Sequence, residues 1–406
     1  AAMRGAIAAG EAQLAMRLAA AAGWYWWLGG RRTEGLELMI AATNIHGDVT
    51  DDVRAMTYAL VVHFVTSGRG DAQQAAHWIH QAYRFTRQVQ HRNPLLELVV
   101  PLERMLEAEE ASVPAFEPLL DSADPWVRAV ARLQLGKARI MLGQGGRDAD
   151  AYLEAALAEF RAIGERFGMS FALTELADRI ATRGEFATAC EYYEQAVAVV
   201  TEIGAVEDVI RMRSRQAQLY WLLGDPDASA AAIVEAQRCA EGVTWPYALV
   251  ELALAKVALA RLRGDVEQAR HQLDMAVLFM GEDVEQPNIR AGIQDLMGYL
   301  ANDLEVARTH RRAACQAAVD AGHPTMLAQV LVGVADFALR IDQHERAAQL
   351  LAASVGFRGL PDRSDPDAAR IEREARRHLG EARLAEVTVE GRQANWSQLV
   401  ELTLGS

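Results

Sequence analysis

The chain has 406 residues, 51% of them hydrophobic, and a formal net charge of −14. That apolar content excludes disorder over most of the length, and the acidic balance argues against direct contact with nucleic acid, which needs a basic face for phosphates. Cys190, Cys239 and Cys315 are few, odd in number and widely spaced; they imply no disulfide framework and fit a reducing cytoplasm.

Abundant alanine, few β-branched runs and only 11 prolines point to an all-α chain. The uncharged stretch 18–28 is too short to cross a bilayer and reads as a buried helix carrying Trp24 and Trp27. A loose helix–turn–helix copy follows from Gly30 to Ala42, with Gly35 in a position that asks for a small residue. Gly70-Asp71, followed by Ala75, is the first clear turn signal. Asn93-Pro94 and Asp124-Pro125 are helix starts: Asn and Asp cap the free N–H groups, and proline lacks one that would have no partner there. Between them a copy from Glu110 to Ser122 is shortened by Pro114 and Pro118, and another runs from Gly143 to Ala158.

From there the turn signal is regular. It appears as Gly184-Glu185 with Ala189, Gly224-Asp225 with Ser229, Gly264-Asp265 with Ala269, Asn302-Asp303 with Ala307, and Asp342-Gln343 with Ala347. The small residues lie 40, 40, 38 and 40 positions apart, and a fixed period in this range predicts a solenoid whose helix pairs bury their apolar faces only against neighbours. Trp245-Pro246 and His323-Pro324 mark first-helix starts out of phase with these turns. In the second helices, small residues flank a large one at i, i+4, i+7: Ala75, Ile79 and Ala82; Ala189, Tyr193 and Ala196; Ala269, Leu273 and Ala276. Arg311-Arg312 and Arg376-Arg377 read as solvated helix faces. The repeat stops after Phe357, which divides the chain into a solenoid over 1–357 and a linker with capping helices over 358–406. Asp365-Pro366 opens a charged helix to about Leu384, with Glu372 and Arg376 paired across one turn, and Trp396 to Leu404 forms a last short helix.

Motifs for chemistry are sparse. His77 and His80 are spaced for half a metal site, but no Cys or carboxylate pattern completes it. Arg69-Gly70-Asp71 falls in a repeat turn, Glu109-Glu110 near a helix end, and Asn395-Trp396-Ser397 is a sequon without a secretory route. No Gly-x-x-x-x-Gly-Lys-Ser/Thr occurs, and Gly143-Gln144-Gly145-Gly146 lies where a repeat turn is due. No catalytic residue, cofactor or metal is assigned.

The turn, small, large, small pattern over 184–196, 70–82 and 264–276 resembles the tetratricopeptide repeat (TPR) family, whose usual repeat of 34 residues is shorter than this one. The resemblance implies a right-handed α-α superhelix of about nine pairs, with first helices lining a concave groove. Counting back from each turn, the groove-facing candidates are Trp24, Trp27, Phe64, Arg104, Asp178, Arg211, Gln218, Trp221, Glu251, Arg261, Tyr299, Asp336 and Arg340. Aromatics mixed with charges of both signs suit an interface, and Arg104 with Arg211 suit a peptide carboxylate.

The opening, Gly10 to Ala20 with Trp24-Tyr25-Trp26-Trp27, and the close, Ala348 to Ala353 with Gly380 to Leu384, resemble the C-terminal repeat region of large actinobacterial transcription regulators of the antibiotic-regulatory and LuxR-type ATP-binding kinds. That resemblance implies a cytoplasmic, non-enzymatic module for signal transduction that binds a protein, peptide or small effector. It also implies ATPase and DNA-binding domains of the same polypeptide, N-terminal to this chain. A free-standing scaffold or adaptor is the alternative, and an enzyme on an α/α scaffold a more remote one. The helix after the break at 358–366 is placed to occupy the groove itself.

Overall fold

The computed structural model describes residues 1–66, 72–89, 93–106, 111–144 and 146–405; the expected turn at Gly70-Asp71 with Arg69, the Glu109-Glu110 pair and Gly145 lie outside them. The chain is an all-α, TPR-like superhelix with no strand among the described residues. A short α1 (Ala2–Ala8) leads into α2 (Ala12–Leu28) with α3 (Arg32–Thr43), then α4 (Asp51–Thr66) with α5 (Ala72–Thr86). The third unit is broken into α6 (Pro94–Glu97), α7 (Val99–Met105) and α8 (Ser112–Phe116), with a 3-10 turn over Glu117–Asp121. Regular pairs follow: α9 (Pro125–Met141) with α10 (Arg147–Ile163), α11 (Arg166–Thr182) with α12 (Phe186–Glu202), and α13 (Val206–Leu222) with α14 (Pro226–Ala240). Next come α15 (Pro246–Leu262) with α16 (Val266–Met280), α17 (Pro287–Leu300) with α18 (Leu304–Ala321), and α19 (Pro324–Arg340) with α20 (His344–Arg358). The chain closes with α21 (Pro366–Gln393) and α22 (Trp396–Leu404).

Both kinds of punctuation act as the residues dictate. Pro94, Pro125, Pro246 and Pro324 each sit in the first turn of a first helix. The Asn93 side chain accepts a hydrogen bond from the Leu95 N–H at 3.0 Å, and Asp124 accepts from Trp126 and Val127. Within pairs, Asp225, Asp265 and Asp303 cap α14, α16 and α18 by accepting from Ala228, Gln268 and Glu305; each such cap contributes about 1 kcal/mol. The third unit departs further than Pro114 and Pro118 foretell, because its first helix is split too. Pro101 has no N–H to give the Glu97 carbonyl and its ring crowds that position, so α6 ends at Glu97.

The second-helix pattern is the seam of the solenoid. Ala189, Tyr193 and Ala196 are buried, as are Ala269, Leu273 and Ala276, and so are Ala149, Leu153 and Ala156 in α10. Small side chains let adjoining helices approach, and the large one fills the space to the next pair. In α18 the large position, between Ala307 and Ala314, is held by Arg311, which is fully buried. The expectation that Arg311 lies on a solvated face is therefore wrong. Its guanidinium is paired with Asp295 and lies 3.5 Å from Asp336, both buried, and stacks 3.9 Å from the Tyr299 ring centre. Gly298 and Gly333 make room for it, since a methyl at either would collide with the guanidinium. Arg376, by contrast, pairs with Glu372 at 2.7 Å on the exposed face of α21, as the sequence implies. That helix runs past Leu384 to Gln393, with a non-helical break at Gly380.

The N-terminal core is aromatic. The His63 ring sits 4.9 Å from Trp24, 4.4 Å from Trp27 and 6.2 Å from Phe167. Burial, aided by the charge of Arg32, lowers its pKa to about 3.

Two stability predictions follow from these packing facts. Arg311→Ala leaves the Asp295 and Asp336 carboxylates buried without that cation and is expected to cost roughly 3–5 kcal/mol in urea unfolding; an unchanged midpoint would contradict the packing described. Below pH 6.5 the unfolded chain binds a proton at His63 that the folded chain refuses until about pH 3. Stability from this group is thus full above pH 6.5 and falls with acid by roughly 1 kcal/mol per pH unit. His63→Phe is expected to flatten stability between pH 6.5 and 5; an unaltered slope would show that another group sets it.

Candidate functional site

The superhelix curls until each end reaches back onto the inner wall. The α2–α3 pair docks on the starts of α13 and α15: Arg32 Nε lies 2.7 Å from a Glu207 carboxylate oxygen, and its Nη2 donates to Asp208 at 2.5 Å. The same guanidinium stacks 3.9 Å from the Trp27 ring centre, Trp27 meets Trp245 edge-on at 6.3 Å, and the Thr244 hydroxyl donates to that of Thr33 at 3.3 Å. Arg32, Glu207 and Asp208 are all buried. Burial, with Asp208 adding to it and Arg32 opposing, raises the Glu207 pKa to about 7.

The other end returns through the segment joining α20 to α21. Gly359 lies against Gly143 in the α9–α10 turn so closely that a methyl on either would strike the opposing backbone; both have positive φ, 82° and 70°. Only glycine meets both demands at once. The Arg363 N–H donates to the Thr182 carbonyl at 2.9 Å, Arg215 donates to the Ser364 hydroxyl at 2.8 Å, and Arg261 donates to Asp367 at 2.8 Å.

Between the two docked ends the first helices line a recess in two connected parts. One, of about 230 Å³, is formed by Trp27 and Arg32 with Lys137 of α9, Phe171 and Glu175 of α11, Glu207, Asp208 and Arg211 of α13, and Trp245, Tyr247, Ala248 and Glu251 at α15. The other, of about 210 Å³, is formed by Asp178, Tyr193, Arg211, Ser214, Arg215, Gln218, Glu251, Leu254 and Ala255. Arg211 and Glu251 line both. Most of the charges are already satisfied. Lys137 pairs with Glu175 at 3.0 Å, Asp178 accepts from the Tyr193 hydroxyl at 2.7 Å and from Arg215 at 3.2 Å, and Gln218 accepts from Arg215 at 2.8 Å. Arg211 differs: no hydrogen bond or ion pair joins it to any of the described residues. Burial opposes its charge, but Tyr193, Asp208, Asp178 and Glu175 outweigh that and raise its pKa. A half-buried guanidinium with five unused donors can fix a carboxylate or a peptide carbonyl.

The structure gathers some of the candidate residues and disperses others. Trp27, Asp178, Arg211, Gln218 and Glu251 share the recess. Trp24 is half-buried against His63 and Phe167, at 4.9 and 6.0 Å, and is not among the residues that line the recess. Phe64 is fully buried behind Trp27 and offers no surface. Arg104 lies in a separate hollow with Tyr83 and Pro114, so it does not act jointly with Arg211. Trp221 packs against Ala217, Ala232 and Leu259 under Arg263. Arg261, Tyr299 and Asp336 are engaged by the C-terminal segment and by Arg311, and Arg340 donates to the Gly298, Ala301 and Asn302 carbonyls at the end of α17. His80 pairs with Glu103 at 2.6 Å, and no group of three metal-ligating side chains occurs among the described residues.

Several lining residues are absent from the sequence reading. Arg215 stands one turn from Arg211 on the same face, and Phe171 and Glu175 likewise precede Asp178, so helical register alone marks them. Glu207 and Asp208 also stand one turn before Arg211, but their pairing with Arg32, like the approach of Trp27 to Trp245, carries no such signal, because the α2–α3 pair lies more than 160 residues away in sequence.

No family model and no curated protein matches the sequence. Among solved structures, the chain is similar to a Rap protein complexed with competence and sporulation factor, with a TM-score of 0.56, 11% identity, and coverage of 93% of this chain and 99% of that one. It is also similar to a STAND (signal transduction ATPase with numerous domains) protein with a tetratricopeptide repeat sensor from Pyrococcus horikoshii, at a TM-score of 0.46, 14% identity, and coverage of 90% of this chain and 55% of that one. At these identities the first likeness establishes the fold, a TPR-type helical-repeat superhelix.

Proposed function

We propose that this chain is a non-enzymatic recognition module of a cytoplasmic, multidomain transcriptional regulator, which senses a protein, peptide or small effector in the central recess. The observation that carries this reading is Arg211, a half-buried cation that makes no hydrogen bond or ion pair with any of the described residues and lies where two parts of the recess meet. Its guanidinium can hold a carboxylate or a peptide carbonyl of a ligand there. The likeness to a Rap protein solved with competence and sporulation factor supports the same reading, as does the resemblance of both ends of the chain to actinobacterial regulators.

The recess also suits a sensor. Its walls come from α9, α11, α13 and α15 on one side and from the docked α2–α3 pair on the other. A ligand spanning them prefers the docked arrangement, and that difference in affinity is what a coupled ATPase and DNA-binding domain would read.

The test is retention of ligand from cytoplasmic extract by the wild type and by Arg211→Ala. The variant removes a side chain that lines the recess and makes no hydrogen bond or ion pair with the described residues, so folding is expected to be intact by circular dichroism. Affinity for the retained ligand is expected to fall about 30-fold, roughly 2 kcal/mol, the size of an interface hot spot. Equal affinity in both would remove the recess as the site.

A further inference from the structure

The segment from Gly359 to Asp367 makes, within one molecule, the contacts that a turn-forming peptide makes with a receptor. It has no helix of its own before Pro366. Its Arg363 N–H donates to the Thr182 carbonyl, one of the acceptors left open at the end of α11. Its Ser364 hydroxyl is buried against Arg215, and its Asp367 carboxylate accepts from Arg261 at 2.8 Å. Asp362 folds back onto the Ser364 N–H and hydroxyl at 2.9 and 2.7 Å, and Pro361 and Pro366 bracket the turn, which lowers the cost of ordering it. The residues it touches belong to α11, α13 and α15, the helices that also line the recess. If this segment leaves, Arg215 loses its hydroxyl partner and Arg261 its carboxylate, and two largely buried guanidinium groups face the groove.

We infer that the inner wall around Thr182, Arg215 and Arg261 is a binding site for an acidic, turn-forming peptide segment of a partner protein, and that residues 359–367 are its built-in competitor. This inference rests on the reading of the concave wall as a recognition surface, but it concerns a site adjacent to Arg211 and needs no effector there. The partner chemistry follows from the contacts: a carboxylate for Arg261, a hydroxyl or second carboxylate for Arg215, and a free main-chain N–H for Thr182. Asp362, Asp365 and Asp367 give the internal segment this acidic character, and an incoming segment must reproduce it to displace it.

The probe is a fluorescein-labelled synthetic peptide of residues 359–369, followed by fluorescence anisotropy against the full chain. Ser364→Ala with Asp367→Asn loosens the internal segment without touching the receptor side. This loosened chain is expected to bind the peptide at least ten-fold more tightly than the wild type, and adding Arg215→Ala and Arg261→Ala is expected to abolish the gain. Binding by the loosened chain no tighter than by the wild type, or binding indifferent to the two arginines, overturns the inference. A measurement on the unmodified protein guards against a misfolded variant: Arg363 is exposed, so an excess of unlabelled peptide carrying Gln in place of Arg363, which trypsin does not cut, is expected to speed tryptic cleavage of the protein there several-fold by displacing the segment, and an unchanged rate also overturns it. Because the probe contains no effector for the central recess, its failure leaves the Arg211 reading standing, and loss of the Arg211 reading leaves this result intact.

Discussion

The geometry of this protein depends on how closely one helix pair approaches the next. A solenoid has a one-dimensional core, so its curvature accumulates from the same small step at each repeat. Here alanine flanks the large residue at successive second-helix positions, as at Ala149, Ala156, Ala189, Ala196, Ala269 and Ala276, all without exposed surface. Helices that pack on alanine approach closely, and the superhelix closes enough for its first pair to rest on the starts of α13 and α15 and for its last linker to cross to the ends of α9 and α11. An open groove becomes a divided interior.

Closure places charge where water is scarce, and the chain satisfies most of it internally. Arg32 is shared between Glu207 and Asp208, Arg311 between Asp295 and Asp336, and Arg261 is held by Asp367 with the Tyr299 ring beneath it. Buried pairs of this kind add little net stability, because desolvation offsets their attraction, but losing one partner is costly. They act here as register pins that hold distant repeats together at defined points. Against that background Arg211, without an ion pair among the described residues, stands out, and so do Arg215 and Arg261, each of which holds a group of the returning C-terminal segment.

Much of the architecture was legible in the sequence. The spacing of Ala189, Ser229, Ala269, Ala307 and Ala347 gave the repeat, the Asn-Pro and Asp-Pro steps gave the helix starts, and the Gly-Asp turns located the tight turn inside each pair. Those signals are local, set by φ, by capping and by one-turn spacing on a helix face. Arg311 escaped because a charged residue in a hydrophobic slot is permitted only by glycines on two other helices, Gly298 and Gly333, and by carboxylates 16 and 25 residues away. The candidate site was half legible for the same reason. Register along the first helices places Asp178, Arg211, Gln218 and Glu251 together, whereas the docking of Arg32 on Asp208 joins residues 176 positions apart and leaves no pattern in the chain.

The account stands on the α2–α3 pair being docked on the inner wall in solution. The most direct measurement is oxidation of a Thr33→Cys, Thr244→Cys variant, whose two hydroxyl positions lie 3.3 Å apart, while Cys190, Cys239 and Cys315 are buried. Rapid formation of an intramolecular disulfide under mild oxidant, seen as a mobility shift that reverses on reduction, is the predicted result. A folded variant whose two thiols remain free under the same conditions would contradict it, because it would mean that the superhelix is open and the central recess does not exist as a single site.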